Sequence, residues 1–95
     1  MLREAAARQK VPGGKLLAVK LEYDERIESI QILGDFFVVP EDALPVIEEA
    51  LVGASAGESE AAMSRTIAEA LERHHIELIG ISPEAIAQTI RMALE

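Results

Sequence analysis

Residues 10–17 read KVPGGKLL, two lysines flanking a proline and two glycines. Glycines lack a Cβ, so successive backbone N–H groups can turn toward one point, and an adjacent lysine adds a full positive charge. Pro12, Gly13, Gly14 and Lys15, with Lys10 beside them, therefore have the parts of an anion nest. They also suit a type II turn, with proline at its second position and glycine at its third, for reasons of φ alone. A nucleotide-binding phosphate loop follows a strand and opens a helix, whereas this turn opens the alternating segment that begins at Leu17. The residues alone leave nest and plain turn side by side.

A second group is Gly34-Asp35-Phe36-Phe37. The two phenylalanines are the only ones in the chain. Adjacent on a strand, they must point to opposite faces, one into the core and the other under a helix or at a contact surface. Asp35, following a glycine, can hold a bend through its own backbone. His74-His75 suggests a metal, but neighbours at a helix end face different directions and no third ligand is near in sequence. A helix C-terminal histidine favoured by the dipole is the plainer reading. Glu48-Glu49, and Glu69 with Glu72, read as solvated helix faces rather than acid–base pairs.

Composition excludes more than it selects. With no cysteine there is no disulfide, thiolate nucleophile or cysteine-based metal site. The sequence has no apolar run long enough to span a membrane, and MLREAAARQK lacks the apolar centre of a signal peptide, so a cytoplasmic, membrane-free protein is expected. A net charge of -8 argues against nucleic acid. The charge is uneven, however: residues 1–20 carry a net +4 and residues 21–95 a net -12, with every lysine between positions 10 and 20. The first fifth of the chain thus forms a basic edge on an acidic body, suited to an anion or an acidic partner, or serving only to keep an edge strand soluble.

Ninety-five residues make one small domain. Residues 1–9 read as a lead-in. Leu17, Val19, Leu21 and Tyr23 alternate with polar or small residues, predicting a strand; DER (24–26) is a hairpin connection, and Ile30 and Ile32 mark a second, antiparallel strand. FFVV (36–39) is a third short strand or a bulged continuation of the second, so 10–39 forms a small sheet. From residue 40 to the end the period is helical. Leu44, Ile47 and Leu51 line one helix, with Pro45 tightening its first turn. A second helix runs from about Glu60 to Arg73, capped by Ser59 or Ser55, with Met63, Ile67, Ala70, Leu71 and His74 along one side. HIELIGIS (75–82) suits an apolar linker better than a strand. Ser82 then Pro83 caps the last helix, which carries Ile86, Ile90, Ala93 and Leu94. The fold class is α+β, two to three antiparallel strands followed by three helices packed on one face.

The order KVPGGKLL, then IESIQILGDFFVVPEDAL, ALVGAS and LIGISPEAIAQTIRMAL closely resembles the small C-terminal accessory domain of lipoate-protein ligases, from about Arg8 to Leu94. The K-x-P-G-G-K-L turn and the G-D-F-F block followed by P-E-x-A-L carry the likeness. The resemblance implies a separately encoded accessory subunit whose large catalytic partner uses ATP, Mg and lipoate to form lipoyl-AMP. That partner then passes the lipoyl group to a lysine of a lipoyl carrier domain or of the glycine-cleavage H protein. It further implies a fold similar to iron–sulfur scaffold and sulfur-transfer accessory proteins (SufE/IscU-like), whose cysteine chemistry this chain cannot perform. It assigns Lys10, Pro12, Gly13, Gly14 and Lys15 to one family motif and Gly34, Asp35, Phe36 and Phe37 to the other, none of them catalytic. On this reading the basic edge, Lys10 and Lys15 first, and Asp35, Phe36 and Phe37 face the partner's active site in a heterodimer. On the same reading the chain is expected to have no activity, cofactor or metal of its own.

A position of Met1 nine residues before the motif, and an end at the last helix, suit an intact small subunit. Two rivals remain: an interaction or regulatory module of the same fold with another partner, and a lipoyl acceptor. An acceptor needs a lysine at a hairpin tip of an all-β domain, and the hairpin tip expected here, YDER, has none.

Overall fold

The computed structural model describes Met1–Glu95 except Gly14, so the part of the turn motif at Gly14 lies outside the described residues. Three strands, β1 (Arg3–Val11), β2 (Lys15–Tyr23) and β3 (Ile27–Gly34), form an antiparallel sheet in the order β1-β2-β3. A short strand β4 (Phe37–Val39) and a 3₁₀ turn (Glu41–Ala43) lead into α1 (Leu44–Leu51) and α2 (Glu60–Arg73); strand β5 (Glu77–Ile79) and α3 (Pro83–Leu94) complete the chain. Strand β4 pairs with β5, not with the main sheet, placing Phe37 opposite Ile79 and Val39 opposite Glu77.

Three expectations are corrected. The supposed lead-in of residues 1–9 is most of β1, paired residue for residue with β2 from Arg3↔Tyr23 to Val11↔Lys15. Its alternation is hidden because alanine occupies both faces: Ala5 and Ala7 pack inward and Ala6 is exposed. The sheet therefore spans residues 3–34 rather than 10–39. Residues 77–79 are a strand rather than linker, so the C-terminal half is not helical throughout. Three residues are too short a run for period to declare itself, and the partner strand is nearly forty positions upstream.

One apolar cluster fills the space between sheet and helices. Leu17, Val19 and Leu21 from β2 and Ile30 and Ile32 from β3 alternate inward, as period 2 requires, and a bulge opposite Glu22 and Tyr23 brings Ile27 to the same face. They meet Ile47 and Leu51 from α1, Met63 and Ile67 from α2, and Ile86 and Ile90 from α3. Helix α3 packs on β1 and β2, α1 packs on β3, and α2 lies against both helices. Buried apolar surface at roughly 25 cal/mol per Å² is the main favourable term holding this layer to the sheet.

Caps fix where the helices begin and end. Ser59 and Ser82 accept hydrogen bonds from the N–H groups of Ala62 and Ala85, at 3.1 Å each. Ser55 instead accepts from Gly57 N–H within the preceding loop. Helix α2 closes on His74, followed by His75 at φ 54. The N–H groups of His75 and Ile76 bond to the carbonyls of Glu72 and Leu71, a Schellman closure with His75 at the left-handed position. His74 is exposed rather than part of the buried side of α2.

Candidate functional site

The two sequence motifs meet in space. The turn after Val11 joins β1 to β2, with Gly13 at φ 95, the sign a type II turn demands of its third residue. It is a hairpin connection, so the turn follows a strand as well as opening one, and Lys15 stands at its closing pair opposite Val11. At the far end of β3, Gly34 pairs with Leu17, and the Asp35 N–H donates to the Leu16 carbonyl at 2.9 Å. A Cβ on Gly34 would run into that same Leu16 carbonyl oxygen, so the chain can turn here only with glycine. Gly13, Lys15, Gly34, Asp35, Phe36 and Phe37 line one shallow, open depression.

Strand β5 brings a member that sequence reading missed. A Cβ built on Gly80 would lie 3.8 Å from Lys15 Cε and 3.7 Å from the Asp35 carbonyl oxygen. The lysine stem therefore runs past the loop that leaves β5. Only a glycine in an apolar stretch could have signalled this, and a glycine alone does not name its neighbours.

Of the two phenylalanines, Phe36 packs against the core and Phe37 is 69% exposed. Phe37 sits beside its cross-strand partner Ile79, 45% exposed, and near Val39, 48% exposed. The outer face of the β4–β5 ribbon is thus an apolar patch adjoining an exposed lysine. Among the described residues no ion pair engages Lys15, and Asp35 makes none either.

The lysines that looked like one edge divide between faces. Residues opposite in an antiparallel pair share a face, and neighbours along a strand alternate. Lys10 pairs with Leu16, Arg8 with Ala18 and then Leu33, and Lys20 with Ala6. These lie on the uncovered face of the sheet. Lys15, opposite the buried Val11, belongs to the other face, toward Gly80 and Phe36. Lys10 is therefore not brought to the Lys15 depression.

Among the described residues no cluster of three metal-ligating side chains occurs, and no helix is long and apolar enough to cross a membrane. The groove between α1 and α2, lined by Pro45, Glu49, Glu69 and Arg73 with His74 at its end, is separate from both motifs.

No protein-family model and no curated protein matches the sequence. Among solved structures, the chain is similar to one from the lipoylation system of the archaeon Thermoplasma acidophilum, a bipartite lipoate protein ligase and its E2 lipoyl domain. The two share 29% identity at a TM-score of 0.69, over 96% of each chain. With that overlap of sequence and fold from end to end, the chain is related to a component of a bipartite lipoate protein ligase.

Proposed function

We propose that this chain is the non-catalytic accessory subunit of a bipartite lipoate-protein ligase, acting with a large catalytic subunit in the cytosol to activate lipoate with ATP. The end-to-end match to a chain of such a system carries the reading. The fold favours the ligase side of that system over its lipoyl domain, since three helices cover one sheet face where a carrier would be all-β. The β1–β2 hairpin does bring Lys15 near a turn, but at the closing pair and beside Gly80 rather than at a free tip. The likeness to sulfur-transfer scaffold folds remains part of the same proposal and adds no chemistry, because the chain has no cysteine.

In this role the chain forms no bond with substrate. The large subunit brings together lipoate, ATP and Mg, and the attacking group in the first step is the lipoate carboxylate. What this chain supplies is position, charge and exclusion of water. Lys15, exposed and without an ion pair among the described residues, places one positive charge where a partner-bound phosphate would meet it. Phe37, Ile79 and Val39 offer the apolar contact that seats the two subunits and dries the junction. Asp35 and Gly34 hold the loop between them.

Two variants test this. With the catalytic subunit present, Lys15→Ala should lower lipoyl-AMP formation at least tenfold while the complex still forms, and Phe37→Ala should weaken the complex itself. Unchanged adenylation and binding in both variants would reject this face as the functional surface.

A further inference from the structure

The geometry points to the free edge of β1 as a self-pairing interface, through which two copies of this chain join into one six-stranded sheet. The two edges of the sheet are treated differently. On the β3 side part of the outward ladder is taken up: Ile27 N–H bonds to the Ala54 carbonyl at 2.9 Å, the Ile27 carbonyl accepts from Gly53 N–H at 2.8 Å, and Ile32 N–H donates to Glu48 Oε2 at 2.8 Å, leaving the groups around Ile30 between them without such partners among the described residues. On the β1 side, among the described residues, nothing beyond β2 bonds to the backbone of Arg3–Val11. A nine-residue strand with an open ladder is a template for another strand.

The hydrogen-bond phase of that edge follows from the same contacts. Ile32 N–H faces away from β2, so the Val19↔Ile32 pair is not the hydrogen-bonded kind, and the backbone groups of Val19 turn toward β1. Val19 opposes Ala7, which spends the backbone groups of Ala7, and of Ala5 and Gln9 with it, on β2. Glu4, Ala6, Arg8 and Lys10 are left with their N–H and C=O groups pointing off the edge.

A twofold axis at Ala7 then pairs β1 with itself without overhang, Arg3 opposite Val11 of the second copy. The outward-bonding residues meet as Glu4↔Lys10 and Ala6↔Arg8, each twice. This register keeps both helix layers on the same side of the combined sheet. Each Glu4 has Lys10 of the other copy directly opposite and Arg8 diagonally adjacent, while the two Arg8 side chains are offset across the axis and have Ala6 opposite. Opposite-sign cross-strand pairs stabilise and like pairs destabilise. Moving the axis to Arg8 would place the arginines face to face. The edge that looks protected by basic residues is thus complementary to its own copy in the register that uses the whole strand.

The test measures the mass of the isolated chain by sedimentation across a concentration series, with amide exchange followed in parallel. Expected are a concentration-dependent species of two chains, each of 10.3 kDa, and slowed exchange at the Ala6 and Arg8 amides in that species. Glu4→Lys and Lys10→Glu should each yield monomer, and the double swap should restore the dimer. Ala6→Pro, which removes a donor pointing off the edge, should also yield monomer. If Ala6→Pro fails to fold, the charge swap still decides. A monomer at every concentration overturns the proposal. So does a dimer indifferent to these changes, rescue of Glu4→Lys by Arg8→Glu in place of Lys10→Glu, or protection of the edge amides only when a ligase subunit is added. None of these readouts needs ligase activity, so they stand apart from the functional reading above.

Discussion

Gly34 is where the two motifs lock together, because its missing Cβ lets β3 pass under the Leu16 carbonyl and deliver Asp35 and Phe36 beside the first turn. Gly34→Ala is expected to destabilise the fold by about 2 kcal/mol or more, since the obstacle is backbone rather than a side chain that could swing away; a urea melt unchanged from wild type would contradict this. His75→Gly should act in the opposite direction. The left-handed conformation costs an L residue roughly 1–2 kcal/mol, and glycine gives back part of that gain through its looser unfolded chain, leaving a stabilisation of about 0.5–1 kcal/mol. The histidine pair is thereby accounted for as a helix end, as its spacing suggested. The GDFF block was legible as a unit, and so was the division of labour between the phenylalanines, because neighbours on a strand must diverge. Which of the two faces outward depends on β5, and nothing local to residues 36 and 37 states that.

Strand β1 holds its place through α3 as well as β2. Gln9 Nε2 donates to Thr89 Oγ1 at 2.7 Å, and Thr89 Oγ1 in turn donates to the Ala85 carbonyl at 2.8 Å. Thr89 is the buried polar residue of the core among the described residues. Thr89→Val keeps the shape and removes both bonds, so it should cost about 1 kcal/mol, with Gln9 retaining its contact to Gln88. Thermal unfolding measures it, and no loss would show that this link does not hold the strand. At the opposite edge, Glu48→Ala should speed exchange of the Ile32 amide, which Glu48 now covers. The helices and the strands β2 and β3 were readable from period and caps, because both are local. Strand β1 was not, since alanines on both faces leave period 2 without contrast. Strand β5 was not, since a three-residue strand owes its existence to a partner far upstream.

Across the whole molecule, the basic N-terminal fifth resolves into two surfaces with different prospects. Lys15 joins Gly80, Asp35 and the Phe37–Ile79 patch on one side, while Arg8, Lys10 and Lys20 lie on the bare face of the sheet. Charge counting along the sequence merged them; only the register of β1 on β2 separates them, and that register required recognising β1. Because Lys10 points to the bare face of the sheet, opposite to that of Lys15, Lys10→Ala should leave adenylate formation within about twofold of wild type where Lys15→Ala does not, a difference of under 0.5 kcal/mol. The proposed function requires above all that the chain complete an activity owned by a larger subunit. Omission reconstitution measures that directly: lipoyl-AMP is quantified from ATP and lipoate with the catalytic subunit alone, with this chain alone, and with both. Adenylate only from the pair is expected; full-rate adenylate from the catalytic subunit by itself would overturn the accessory role.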